Sequence, residues 1–209
     1  LEERMPEDLL AEEDNAWFDA WKASGIDQEV YMPYFSQLDN KVGIPARQCF
    51  TSASAMVAAF YKKVKTDDEY NAIRIKYGDT TSVEAQIQAL ESLGLNARFI
   101  KNADRDIIEI EIESGRPVIV GWLDKGPIHS PTCNSVSCGH YSVISGYSGK
   151  NSADPEWIMQ DPRGLPDMQN GGHTNPYMGR NVRVRQAEFD ARWQPEGSNT
   201  GWAILVDDL

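Results

Sequence analysis

Cys49-Phe50-Thr51-Ser52-Ala53-Ser54-Ala55-Met56-Val57-Ala58-Ala59-Phe60-Tyr61 is the stretch on which the fold turns. Ala53, Met56, Val57 and Phe60 recur at helical spacing, and the small Ser and Ala residues between them permit close packing. The pattern predicts a buried helix over 51–61, beginning just after Cys49 at the end of an irregular loop that holds Gly43 and Pro45. A thiol at such a junction meets unpaired backbone N–H groups and the positive end of the helix dipole, both of which favour the nucleophilic thiolate. The competing reading of Cys49 is a small buried hydrophobe, the commoner fate of a free cysteine.

Outward from this helix the texture alternates. Val30-Tyr31-Met32-Pro33-Tyr34-Phe35 reads as an extended edge segment, because proline removes a ladder donor and disfavours helix before it. Thr81-Ser82-Val83-Glu84 matches a capping box and opens a helix carrying Val83, Ile87, Leu90 and Leu93, stopped by Gly94. Residues 97–100 read as a strand. Residues 104–113 alternate isoleucine with acid, a pattern open to strand or short helix, and Asp104 as a cap favours helix. Residues 117–122, 141–147, 157–160 and 202–206 are short β-branched, aromatic and aliphatic runs bounded by Gly, Pro, Asn or Asp, hence strands. Helices early and strands late predict an α+β domain, with N-terminal helices packed on a central antiparallel β-sheet.

The 209 residues carry 20 Lys+Arg against 32 Asp+Glu, a net charge of −12, and are 41% hydrophobic. That supplies a core, excludes disorder of the whole chain, and disfavours nucleic acid, whose affinity comes from cations on phosphate. No apolar run approaches the ~20 residues of a membrane span. The chain begins at Leu1, so the lack of a signal peptide says nothing about secretion; secreted, periplasmic and virion-associated settings stay open. Residues 1–29 form an acidic arm, ten of whose side chains are Asp or Glu against Arg4 and Lys22. Leu10, Trp17 and Trp21 would share one helical face there, packed on the body or offered to a partner. Residues 30–209 form the domain.

Three histidines are present, His129, His140 and His173. His140 opens a predicted strand in Cys138-Gly139-His140-Tyr141-Ser142-Val143-Ile144, and the next strand ends in Met159-Gln160-Asp161-Pro162. Neighbouring antiparallel strands would set Asp161 beside His140, where it would fix the imidazole tautomer and leave the other nitrogen to take the thiol proton. Gln37, upstream, would pair its side-chain amide with the Cys49 N–H as an oxyanion donor, an effect worth ~3 to 4 kcal/mol per donor. Each residue also has a bland reading: strand-end turn for Asp161, structural histidine for His140, surface-loop glutamine for Gln37.

The order Gln, Cys on a helix start, His on a strand, Asp on the next strand resembles papain-like cysteine peptidases, and C39-like peptidases in particular. The resemblance lies in Pro33-Tyr34-Phe35-Ser36-Gln37-Leu38-Asp39-Asn40, the Cys49 helix, Gly115-Arg116-Pro117-Val118-Ile119-Val120-Gly121-Trp122, the His140 strand and Asp161-Pro162-Arg163-Gly164. It spans about residues 30 to 207. It implies a papain-like fold, amide-bond hydrolysis, Cys49 as nucleophile, His140 as base and acid, Asp161 as its orienting partner and Gln37 as oxyanion donor. Peptidase domains of bacteriocin exporters that cut double-glycine leaders carry the glutamine closer to the cysteine and a Cys-Gly step; here twelve positions separate Gln37 from Cys49 and Phe50 follows. The tail, with Asn170-Gly171-Gly172-His173, Gly179-Arg180-Asn181-Val182-Arg183-Val184, Phe189-Asp190-Ala191-Arg192-Trp193 and Gly201-Trp202-Ala203, is similar to free-standing bacterial and phage members, several of them suspected cell-wall hydrolases. Its aromatic residues read equally as packing.

His129, Cys133, Cys138 and His140 offer four zinc ligands at a spacing unlike the usual zinc patterns. A zinc ion there, a Cys133–Cys138 disulfide and free thiols are the three alternatives, with no metal and no cofactor expected. Asp39, 67–69 and 104–106 read as solvated loops rather than an EF-hand. The expected activity is hydrolysis of a peptide or peptidoglycan amide. A transglutaminase-type acyl transfer with the same three residues, and a silent binding or virion-structural module engaging partners through the arm, are the alternatives.

Overall fold

The computed structural model describes residues 24–132 and 139–208. The Leu10/Trp17/Trp21 face, Cys133 and Cys138 lie outside the described residues.

Helix α1 (Cys49–Phe60) is the centre of the molecule, with every residue from Phe50 to Ala58 buried. Its small side chains let neighbours approach from all sides, and its buried Thr51 and Ser52 hydroxyls are matched, while that of Ser54 is left without a partner among the described residues. Thr51 shares a 2.7 Å hydrogen bond with Thr80, and Ser52 donates to Asp67 at 2.9 Å while accepting from Asn40 at 3.1 Å. Asp67 opens α2 (Asp67–Arg74), capped by Thr66, whose hydroxyl accepts from the Glu69 N–H. Residues 67–69 are therefore no solvated loop: acid is favoured at a helix N-terminus, and Asp67 is buried against Ser52. Helix α3 (Val83–Ser92) starts one residue later than the capping box requires. Ser82 caps it through the Ala85 N–H, while Thr81 bonds Asp79 instead. Asp104 caps α4 (Arg105–Glu113) through Ile107, so 104–106 is also a helix start.

The sheet runs β2 (Leu95–Ala103), β9 (Gly201–Asp208), β3 (Val118–Trp122), β4 (His140–Ser148), β5 (Glu156–Gln160), β8 (Val182–Arg185), all antiparallel. The seventh strand, β1 (Ile26–Glu29), pairs with β4 at Gly146–Ser148. Gly146 must be glycine for that approach, since a Cβ would lie 2.6 Å from the Gln28 carbonyl oxygen. A short ribbon, β6 (Leu165–Pro166) with β7 (His173–Asn175), stands apart.

Both sheet faces are covered, which is why β3 is buried along its whole length. On one side α1 to α3 pack Phe50, Met56, Val57 and Leu90 against Ile119, Val143 and Ile204. On the other, Ile108 and Ile112 of α4 and Phe189 and Trp193 of α5 (Gln186–Trp193) pack against Val118, Val120, Trp122 and Trp157. The aromatic tail residues Phe189 and Trp193 are thus core.

Candidate active site

Cys49, a half-buried free thiol, is the first residue of α1. Gln48 precedes it without making a side-chain cap. The next residue, Phe50, stacks face to face on Tyr141, the residue after His140. Gly121 gives that phenol its room: a Cβ there would stand 2.8 Å from the Tyr141 ring. The start of the helix is thereby fixed to the start of β4, and Cys49 stands close enough to His140 to raise the pKa of its ring.

Asp161 lies just past β5. The register Val143↔Gln160 sets it next to Ser142 and two residues from His140 on the neighbouring strand. His140 Nε2 meets its carboxylate at 2.8 and 3.0 Å, which leaves Nδ1 outside that contact. The carboxylate is fully buried and accepts further bonds from the Ser142 hydroxyl at 3.0 Å and the Arg163 N–H at 2.9 Å. Trp122 Nε1–H in turn donates to Ser142 at 3.1 Å, and its ring stands edge-on to His140. The Asp161 backbone is clamped too: its N–H donates to the Gly179 carbonyl and its carbonyl accepts from the Tyr34 hydroxyl. Burial and the neighbouring Asp161 push the Tyr34 phenol up to about 12.

Electrostatics follow from this burial. Desolvation alone would pull the His140 pKa down, but the Asp161 charge and hydrogen bond, then Cys49, lift it to about 10. Asp161 would be raised by burial, yet His140 and His173 hold it well below the usual carboxylate range. An imidazolium between a carboxylate and a thiol is the charge distribution a thiol nucleophile needs.

Gln37 begins a 3-10 turn (Gln37–Asp39) and is fully buried, not a surface-loop residue. Its N–H donates to the Pro162 carbonyl at 2.8 Å, and its side-chain Nε2 donates to the Pro45 carbonyl at 2.9 Å. It therefore ties the Asp161-Pro162 turn to the loop that enters α1, and one amide N–H remains for another acceptor.

His173, given no site role in the sequence beyond its place in the Asn170-Gly171-Gly172-His173 tail motif, also reaches Asp161, with Nε2 3.2 Å from the carboxylate. Gly171-Gly172 before it was the available signal. Both take positive φ, and Gly171 lies so close to the Asp124 and Gly126 backbone that no side chain fits. His140, Asp161 and His173 place their donor atoms within 4.8 Å of one another, which is metal-like spacing. The carboxylate oxygens, however, already accept from four donors, the bonding of an anion held by hydrogen bonds. His129 is exposed and belongs to no such cluster among the described residues.

Comparison with known proteins agrees with this fold. The structure is similar to a C39-like peptidase from Bacillus anthracis (13% identity, 88% of this chain and 98% of that one, TM-score 0.58). It is also similar to the double-glycine-motif protease of an AMS/PCAT transporter solved with its leader peptide (18%, 88% and 96%, 0.52). The peptidase domain of Streptococcus ComA, a bi-functional ABC transporter of a quorum-sensing pathway, matches too (21%, 87% and 98%, 0.52). A search of curated proteins finds no match. The family model described as "Peptidase_C39 like family" matches residues 29–199, most of the chain, and the protein accordingly belongs to that family of cysteine peptidases.

Proposed function

We propose that Cys49, His140 and Asp161 hydrolyse a peptide amide, with Gln37 as an oxyanion donor. The observation that carries this reading is His140 itself, bonded through Nε2 to the buried Asp161 carboxylate, with Cys49 close enough to raise the pKa of its ring. The Cys49 thiolate attacks the carbonyl carbon, and the displaced electron pair rests on oxygen against the Cys49 N–H and the second Gln37 amide N–H. Collapse expels the amine, which takes the Nδ1 proton of His140 and leaves a thioester. Water then attacks as Nδ1 takes its proton, and collapse returns the thiolate and releases the acid.

The substrate class we propose is the peptide stem of peptidoglycan. Supporting it are the tail's likeness to free-standing members and the Gln37-to-Cys49 spacing, which departs from leader-cutting exporters. Incubating the protein and its Cys49→Ala variant with purified cell-wall fragments and an added amine, followed by mass spectrometry, tests both parts. Cleaved stems with the native protein alone support the proposal. Amine adducts would replace hydrolysis by acyl transfer, and unchanged fragments would overturn the cell-wall assignment.

A further inference from the structure

His173 shares the Asp161 carboxylate with His140 but faces no thiol. Its side chain is 5% exposed, its Nε2 lies 3.2 Å from both carboxylate oxygens, and its ring centroid is 4.7 Å from that of His140. Its Nδ1 is buried with no hydrogen-bond partner among the described residues. A carboxylate needs a donor at Nε2, so the proton sits there. A cation would require a second proton on Nδ1, where no described residue offers an acceptor, and would stand against the His140 charge. Burial, with the His140 charge, holds the His173 pKa down against the pull of Asp161 and the more distant Asp124.

The geometry points to His173 as a positioning residue: a neutral Nε2–H donor that holds the Asp161 carboxylate and keeps the single positive charge on His140, aligned with Cys49. This rests on the Cys49, His140 and Asp161 reading above. His173 has no contact with the thiol and acts through Asp161. Ser142 and Arg163 N–H hold the carboxylate from other directions, and the His173 ring lies 6.3 Å from that of Trp122. The Gly171-Gly172 turn exists to deliver it: the Asp124 and Gly126 backbone fills the space a Cβ at Gly171 would need, and Gly172 N–H donates to the Asp124 carbonyl at 2.6 Å.

The test is alkylation of Cys49 by iodoacetamide between pH 5 and 8, read peptide by peptide by mass spectrometry, in the native protein and in His173→Gln and His173→Phe. Phe keeps a packed ring and removes the donor; Gln restores a donor without a ring. At pH 5.5 alkylation should fall about tenfold in Phe and return to within about threefold of native in Gln, with a changed pH profile only in Phe. Equal rates and profiles in all three, or equal losses in both folded variants, overturn the proposal. Nitrogen NMR of the native protein gives an independent check that needs no variant. His173 should remain neutral with its proton on Nε2 from pH 5.5 to 8, and a proton on Nδ1 in that range overturns the proposal. If Cys49 of the native protein reacts no faster at pH 5.5 than a free thiol such as N-acetylcysteine, the catalytic reading itself fails, and the NMR result still decides the tautomer and placement of His173.

Discussion

Phe50 and Tyr141, the residues that follow Cys49 and His140, stack with ring centroids 3.6 Å apart and planes 3° from parallel. One contact thus aligns a helix start with a strand start, and both chemically active residues inherit their positions from it. Phe50→Ala should cost about 3–5 kcal/mol of unfolding free energy, as for large aromatic truncations in cores. Tyr141→Phe, which keeps the stack and loses a phenol that burial has already driven above its ordinary pKa, should stay within about 0.5 kcal/mol of native. Urea denaturation of both variants measures the difference; equal losses would show that the stack is not what holds the helix start.

Asp161 and Ser142 should separate by magnitude. Asp161→Asn replaces an acceptor with an amide and disturbs the His140 tautomer, so kcat should drop by about 10⁴-fold with little change in KM. Ser142→Ala removes one of several donors to the carboxylate, worth about 1 kcal/mol, so the loss should be about fivefold. Steady-state kinetics on a cleaved peptide decides; a Ser142→Ala loss as large as that of Asp161→Asn would contradict this ranking.

The proton on His140 sets a basic limit. Its pKa is lifted from 6.5 to about 10, so the leaving amine can be protonated throughout the neutral range and kcat/KM should fall with a midpoint near pH 10. The same shift contributes stability that is complete below about pH 6.5, the unfolded value, and is lost as pH rises through about 10. A pH-rate profile and melting curves from pH 6 to 10.5 check both; a basic limb near 6.5 would mean that Asp161 does not hold the imidazolium.

Gly179 is a steric gate on the acid's backbone. A Cβ there would overlap the Asp161 carbonyl oxygen and the Tyr34 hydroxyl. Gly179→Ala should therefore destabilise by about 1–3 kcal/mol and lower activity, because the clash displaces the turn that carries Asp161. Gly172→Ala, with open space around its Cβ but a positive φ, should cost less, about 1 kcal/mol. Thermal unfolding of the pair tests the ordering.

Much of this architecture is visible in the linear chain because its signals are local. The apolar period of 51–61 marks α1, and Asp104 resolves the ambiguous 104–113 stretch as a helix through a cap that spans three residues. Thr66 and Glu69 carried the same kind of signal for α2, masked by reading three consecutive acids as solvent-loving rather than as partners of a helix N-terminus. The Ser82 cap is off by one because Thr81 has a competing partner in Asp79, which local pattern does not weigh. The Gly171-Gly172 step marks a turn before His173, but the role of His173 is hidden in the sequence for a different reason. Its link to Asp161 is made by a ribbon and a Gly-Gly turn pressed on distant backbone, a tertiary fact with no periodicity in sequence. The burial of Gln37 likewise depends on two carbonyls, Pro45 and Pro162, brought together from far apart.

The strand Ile26–Glu29 is hydrogen-bonded to the far half of the same strand that begins with His140. A protein started at residue 30 would leave the backbone of Gly146–Ser148 without that neighbour, and unpaired strand backbone recruits other chains. Shortened forms that begin after Glu29 should therefore self-associate, whereas forms trimmed only as far as Ser24 should stay monodisperse.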